Sequence, residues 1–471
     1  MTMLRTGERF NFLVMIAIVS LLRAAPLAAQ QNTRSVQVGE TQQIQGAARI
    51  TPGQPAALSF EQALQLAIQN NLATLLAHER RNEARGVKQQ SLAPLLPNVS
   101  GVAYQLSLTE NLVALGFERG IIPGFNSIFL GPFKNFDARV FLTQTIFDLS
   151  AIRGYQAGRS GVRVAELQEA LAREQVASGT GLIYLEALRA DRAVVAAQAN
   201  VDLAQALLKQ AQDQRNAGVA TGVDVTRAQT RLAEQQVGLA QAQTTSEQAR
   251  LNLQRVVGLP LGSALTLTDP LRFTEEVLPG VEAAVAQADR NRREIQVAKE
   301  QIRVSDLERQ AARAAYLPSL EVVSDYGGSG ITAANSDLPT RRIGVQLNVP
   351  IFNGGLTQGR VTEATSRQRQ SELELSNIRG QVEEDVRLAL VTLRTAAVQV
   401  RAADESVRLA QRELEMARDR FQTGVGDNLE VVTAQTSLAN ARDAQVTALA
   451  QHNAARLNLA AALGGAEAFR W

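Results

Sequence analysis

The sequence predicts a mainly α-helical chain with a small transmembrane β part, arranged as two tandem copies of one structural unit. Three observations carry this prediction. The stretch "NAGVATGVDVTRAQT" (Asn216–Thr230) returns as "QTGVGDNLEVVTAQT" (Gln422–Thr436), with Gly218 and Gly424, Val219 and Val425, and Val225 and Val431 each 206 residues apart. Two long runs, Arg153–Arg215 and Gln358–Phe421, contain no proline. Ahead of each run stand short segments that alternate apolar and polar residues, the pattern of a half-buried strand.

Composition agrees with long helices. Aromatic residues are only 4% of the 471, while Ala, Gln, Leu, Arg and Glu crowd the sequence; such usage favours helices packed through small side chains. Residues 1–29 read as a secretory signal: Arg5 and Arg9, the apolar run Phe12–Leu22, then small residues at Ala28 and Ala29. They hold three Arg and one Glu, so their removal takes +2 from a net charge of +2 and leaves the rest neutral. Lys and Arg are interspersed with Asp and Glu, and no nucleic-acid partner is expected. There is no cysteine, which excludes disulfides and a lipid-carrying N-terminal Cys. No later segment is apolar for 18 residues, so the remaining route into a membrane is a β-barrel.

The elements follow in order. Residues 30–57 form a polar lead. Repeat 1 (58–258) opens with a helix at which Ser59 is the N-cap and Gln62 completes a capping box; the helix ends near Pro94 and Pro97. Two strands follow, near 99–109 and 136–146, then a long helical hairpin with its tip near 216–224. Residues 259–279 form a linker. Repeat 2 (280–465) has the same grammar: a helix ending near Pro318, strands near 319–327 and 342–351, and a hairpin with its tip near 422–430. Residues 466–471 are a short tail. "SFEQALQLAIQNN" (Ser59–Asn71) resembles "GVEAAVAQADRNR" (Gly280–Arg292), and "LLPNV" at Leu95 matches "YLPSL" at Tyr316. In the second run Leu390, Leu393, Ala397, Val400, Val407, Leu414, Ala417 and Phe421 follow a three-four spacing, a narrow coiled-coil seam interrupted at Asp404 and Gln411. Glycines in the first run (Gly154, Gly158, Gly161, Gly179, Gly181) mark bends or close packing.

Each hairpin tip has a turn chemistry of its own. Gly218 and Gly424 suit the left-handed position that ends a helix, followed by apolar Val219 and Val425. Thr221-x-x-Asp224 and Asp427-x-x-Glu430 are capping boxes, and acids in a first turn suit the helix dipole.

Four strands cannot close a barrel, since the smallest bacterial outer-membrane barrels use eight, and an open sheet edge cannot sit in lipid. Several chains must therefore share one barrel, and three give 12 strands. The alternation Ile343, Val345, Leu347, Val349 against Gly344, Gln346, Asn348, and Val102, Tyr104, Leu106, Leu108 against Ala103, Gln105, Ser107, Thr109, makes the barrel lumen polar, with Gln105, Ser107, Gln346 and Asn348 facing water.

From Leu58 to Gly465 the chain resembles the TolC family of outer-membrane efflux channels. "LSFEQALQLAIQNN", "LLPNV"/"YLPSL", "VPIFNGG" (Val349–Gly355) and the paired turns carry the resemblance, in order and at repeat spacing. It implies a homotrimer in outer-membrane lipid, a shared twelve-stranded barrel and a periplasmic α-helical barrel. The implied partners are a periplasmic adaptor (membrane fusion) protein and an inner-membrane RND, ABC or MFS pump. It also implies that the adaptor docks at the tips formed by Gly218, Val219, Thr221, Gly424, Val425 and Gly426, with Asp224, Asp427 and Glu430 at the periplasmic entrance. Glu430 stands where family members commonly carry aspartate, Thr433 where some carry a second one, and Gly426 where some carry an arginine that ties the gate shut.

The expected function is the passive exit duct of a tripartite efflux or type I secretion system, for small molecules or proteins. The alternative is a periplasmic coiled-coil scaffold or adaptor, which would have helices without amphipathic strands. No catalytic constellation, cofactor or metal site is expected: His78 and His452 are the only histidines. "GGSG" (Gly327–Gly330) reads as a loop between strands. Gly116–Phe133 reads as an apolar outer loop.

Overall fold

The computed structural model describes residues 56–116, 128–218, 220–335, 338–423, 425–426 and 428–470. The signal (1–29), nearly all of the lead and most of the Gly116–Phe133 loop lie outside the described residues, as do Val219, Gly424 and Asp427.

In chain order the elements are β1 (Ala56–Leu58), α1 (Phe60–Asn70), α2 (Leu72–Leu92), β2 (Asn98–Asn111), β3 (Phe129–Phe147), α3 (Leu149–Asn216), α4 (Gly222–Val257), β4 (Leu265–Leu267), α5 (Val281–Asn291), α6 (Arg293–Ala314), β5 (Ser319–Gly330), β6 (Leu338–Asn348), α7 (Leu356–Gln422) and α8 (Asn428–Ala462). The two-repeat grammar is present throughout. Ser59 caps α1 with the expected box to Gln62. The opening helix of each repeat is nevertheless two helices, because Asn71 and Arg292 take extended backbone conformations. Asn71 then caps α2 by accepting from the Ala73 amide at 2.9 Å. An asparagine in a polar helical context is easily read as part of one helix, although its side chain competes for backbone amides.

Helices α3 and α7 run 68 and 67 residues, each about 100 Å at ~1.5 Å per residue. The α7 seam is more regular than the sequence suggested. Leu393, Ala396, Val400, Ala403, Val407, Ala410, Leu414, Ala417 and Phe421 are all buried, an unbroken heptad spacing. Ala403 and Ala410 occupy the seam beside Asp404 and Gln411, and Ala396 takes the place expected of Ala397. Alanine at these positions lets neighbouring helices approach closely. Gly158 and Gly181 do likewise in α3, where an added Cβ would lie 2.5 Å from Ser91 Oγ and from Leu457 Cδ2 respectively.

Among the described residues, three large apolar clusters hold the helices. One joins α1, α3, α4 and α8 around Phe60, Tyr184, Leu253 and Leu457. A second packs Ile295, Val386, Leu390 and Leu459. A third, towards the tips, packs Leu207, Val407, Leu414, Phe421, Val431 and Leu438.

The segment expected to be a linker is pinned. Its β4 pairs in parallel with β1. Asp269 accepts hydrogen bonds from the Phe60 amide at 2.7 Å and the Tyr184 hydroxyl at 2.6 Å, and Asn453 donates to the Arg272 carbonyl at 2.9 Å. The tail is docked too: Ala466 is fully buried and Phe469 packs edge-on to Phe60 at 5.6 Å.

The four longer strands form one antiparallel sheet in the order β2-β3-β5-β6. Gly327–Gly330 belongs to β5, not to a loop, and Phe129–Phe133 belongs to β3. At Gly327 an added Cβ would stand 2.2 Å from Arg139 Cβ and 2.4 Å from the Ala138 carbonyl oxygen. The glycine is there because Arg139 crosses its face of the sheet.

Candidate functional site

Two regions are candidates: the paired hairpin tips and the open sheet at the other end of the long helices.

At the first tip, α3 ends at Asn216 and Gly218 takes a left-handed conformation with φ of 77°, as a helix-ending glycine should. The capping box forms: the Thr221 amide donates to Asp224 Oδ2 at 2.9 Å and the Asp224 amide to Thr221 Oγ1 at 3.4 Å. The Thr221 hydroxyl donates to the same carboxylate at 2.6 Å. These bonds, with Arg227 at 3.8 Å, hold the Asp224 carboxyl below its usual range, the Thr221 hydrogen bonds being the main cause. Asp224 is thus occupied within its own turn.

At the second tip the Val425 and Gly426 amides donate to the Arg420 carbonyl at 3.0 and 2.9 Å. Glu430 meets Arg420, with Nε to Oε2 at 3.2 Å. The sequence reading missed Arg420: it looked for an arginine at Gly426, within the turn, whereas the partner comes from the last turn of α7. Of the expected box only Glu430 is described, since Asp427 lies outside the described residues.

A side-chain bond crosses between the tips. Asn428, itself buried, donates from Nδ2 to the Asp224 carbonyl at 2.9 Å. Beside it a groove between α4 and α8 is lined by Val223, Thr226, Thr230, Leu429, Val432 and Thr436. Val425 and Val223 are 74% and 58% exposed, so apolar side chains stand in solvent around both turns.

In the sheet, directly paired residues share a face. Tyr104 pairs with Asp137, Phe141 with Asp325, and Asp325 with Arg342. Face one therefore carries Asp137, Arg139, Asp325 and Arg342, with Gln346 and Asn348 further down β6. Arg139 donates to Asp137 at 2.7 Å and to Asp325 at 2.9 Å, and Arg342 to Asp325 at 2.8 Å. This ladder confirms the parity of the register. Face two carries Val140, Leu142, Val322, Tyr326, Ile343, Val345 and Leu347.

The register corrects one expectation. Gln105 pairs with Phe136 and Ser107 with Lys134, so both stand on face two, opposite Gln346 and Asn348. The four cannot line one lumen together. Alternation within a strand gives two faces but does not say which of them a neighbouring strand shares. On β2 it is Val102, Tyr104 and Leu106 that lie on the charged face.

Among the described residues both sheet edges, β2 and β6, are unpaired, and no helix is long and apolar enough to cross a membrane. Among the described residues no cluster of three or more His, Asp or Glu is disposed to hold a metal ion. His452 is buried, with its ring 4.8 Å from Phe273, a packing role.

Comparison with known proteins gives a consistent answer. The model of the family described as outer membrane efflux protein matches residues 63–259 and 284–465, one block per repeat. The alkaline protease secretion protein AprF of Pseudomonas aeruginosa is 26% identical over 325 residues, 66% of this chain and 65% of AprF; the match thus spans about two thirds of that relative. The proteases secretion protein PrtF of Dickeya chrysanthemi is 23% identical over 407 residues, covering 83% of this chain and 85% of PrtF. Among solved structures, the Campylobacter jejuni CmeC outer membrane channel superposes with a TM-score of 0.75 at 19% identity, covering 86% of each chain.

Proposed function

Since this chain belongs to the outer membrane efflux protein family, and is accordingly an outer-membrane protein with a large periplasmic helical portion, we propose that it is a passive exit duct. Three copies join their four-stranded sheets edge to edge, β6 of one against β2 of the next, into a barrel of twelve strands. The long helices continue that barrel below the membrane as a tunnel. The observation that carries this reading is the sheet itself. Over β3, β5 and β6 one face is mainly apolar and the other carries the charged ladder, and among the described residues both edges are open, a state that lipid does not tolerate.

In this reading the apolar face meets lipid and the ladder face, with Gln346 and Asn348, meets the aqueous lumen. A periplasmic adaptor docks at the exposed tips through Gly218, Val219, Thr221, Gly424, Val425 and Gly426, and an inner-membrane pump supplies the energy. Asp224, Asp427 and Glu430 ring the periplasmic entrance, where carboxylates favour cations. Asp224 contributes chiefly by holding its turn, and Glu430 is paired with Arg420. AprF and PrtF are named for protease secretion, which supports polypeptide cargo of a type I system; small molecules fit the same duct.

Planar-bilayer recording of the purified protein tests this. Discrete conductance steps with cation preference are expected, and Asp427→Ala with Glu430→Ala should lower that preference. A protein that fractionates with the soluble periplasm and gives no steps overturns the reading.

A further inference from the structure

The chain between β4 and α5 crosses the second helical hairpin as a strap. Phe273 seats against Val400 and Ala403 of α7 and against Ala448 and Leu449 of α8, so one side chain bridges both arms. Polar ties fasten each arm as well. On α8, Asn453 donates to the Arg272 carbonyl at 2.9 Å, and Arg456 Nε donates to Glu276 at 2.6 Å. On α7, Arg401 pairs with Glu275 and stands over the Phe273 ring, 5.9 Å from its centroid, a cation–π distance.

Beneath the strap lies His452. It is 2% exposed, its ring is tilted against Phe273 at 4.8 Å, and its Nδ1 is buried with no hydrogen-bond partner among the described residues. Packing makes no use of that nitrogen. A neutral imidazole tolerates the site, because one of its two nitrogens carries no proton. In the imidazolium both are N–H donors, and a buried donor without an acceptor is costly. A proton would also put a new cation against a phenyl ring that Arg401 already covers. Burial and then Arg456 disfavour the charged ring, and Glu276 offsets them only in part. Other charges around this stretch of α8 have their own partners. Asp404 of α7 accepts from Gln445, and Phe469 of the tail lies under Arg456 at 5.5 Å. Helix α3 passes between the Gly181–Leu457 approach and the Asn200–Arg442 bond. On that stretch Glu186 accepts from Arg189, Asp191 meets Arg250, and Arg192 is exposed.

The sequence narrows the matter further. His78 and His452 are the only histidines and there is no cysteine, so ordinary side-chain titration between about pH 5 and 7 falls to those two. His78 is half exposed and faces Glu169 at 3.5 Å, so a proton there meets a carboxylate.

We propose that residues 268–279 form a clasp on the α7–α8 hairpin that acid releases, with His452 as the group that takes the proton. Above the ordinary histidine value of about 6.5 the ring is neutral and the clasp holds. As pH falls through the lower value of the closed form, the proton is taken by the released form, in which the ring reaches water. The hairpin so held carries Arg420, Asn428 and Glu430 at its tip. That its release would regulate the periplasmic entrance rests on the duct reading; the clasp itself does not.

The test uses the full-length purified protein. Val277 is fully exposed in the strap and the chain lacks cysteine, so a nitroxide on Val277→Cys reports the strap's motion. Between about pH 7.5 and 5 the ratio of mobile to immobile signal should rise about tenfold, within the roughly thirtyfold that a histidine of ordinary value can supply. In the same labelled background His452→Gln should show no such response, and His78→Gln should keep it in full. An unchanged ratio in the labelled parent, a response that persists in His452→Gln, or one that is lost in His78→Gln overturns the proposal. With two histidines in the chain, retention in His78→Gln assigns the response to His452 even where a change at 452 disturbs folding. The label reads the clasp whether or not the protein conducts, so absence of conductance steps bears on the duct alone.

Discussion

The side-chain amide of Asn428 donates to the main-chain carbonyl of Asp224 at 2.9 Å, so the second hairpin tip of the chain is fastened to the first. The groove between α4 and α8 opens beside this bond. Asn428→Ala removes the buried donor, a cost of about 1 kcal/mol. The expected result is an unchanged fold with looser tips: raised single-channel conductance and faster amide exchange across residues 220–226. A variant whose conductance and exchange match wild type would show that the bond is incidental.

The first turn should weaken in acid. Asp224 has a folded-state pKa held below its ordinary value by Thr221. The stability it contributes is present above the unfolded carboxylate value of about 4 and is lost as pH falls through the lower folded value. Thr221→Ala removes the main cause and the N-cap together, at about 0.5–2 kcal/mol. Protection of the amides at residues 221–224, taken relative to the intrinsic exchange rate at each pH from 7 down to about 3, should fall in wild type below about pH 4. In the variant it should be low throughout.

The pinned crossing segment depends on Tyr184. Its hydroxyl is 2.6 Å from Asp269 and 3.1 Å from the Leu58 carbonyl, and burial pushes its pKa upward. A raised pKa means that its contribution is complete below the unfolded value of about 10 and fades as pH rises through the folded one. Tyr184→Phe should cost about 1.5–3 kcal/mol, the range for a hydrogen bond to a charged group. Limited proteolysis should find new cleavage within 259–279. Wild-type resistance in that segment would mean that β1 and β4 hold it without the tyrosine.

Gly327→Ala probes the ladder face. The added Cβ would fall within 2.2 Å of Arg139 Cβ, so either β3 and β5 separate or Arg139 leaves Asp137 and Asp325. A loss near the upper end of ordinary point mutations, about 3 kcal/mol, is expected. It should be read as a lowered temperature of oligomer dissociation on electrophoresis. An unchanged dissociation temperature would mean that the strands yield at little cost.

Much of this was legible in the sequence because it is local. The capping boxes at Ser59 and Thr221, the left-handed Gly218 and the heptad of α7 each depend on residues within a few positions of one another. The paired copies then placed strands and hairpins in order. What stayed hidden was non-local. The face of Gln105 is set by which residue of β3 lies opposite it, and a one-residue slip would reverse the answer. The three-residue strands β1 and β4 are too short to show a period, and Arg420 finds Glu430 only once the helices turn back on each other. Alanines such as Ala403 and Ala410 pass for helix filler until packing shows them in the seam.

The central claim is that open sheet edges of separate chains close one barrel. Because the chain has no cysteine, a single cysteine on β2, at Ser100, can be combined with a scan of single cysteines along β6 and oxidised in outer-membrane preparations. The account predicts that in the matching register covalent species of two and three chains form and that the ladder stops at three. Cross-links confined within one chain, or a ladder that runs past three, would contradict it.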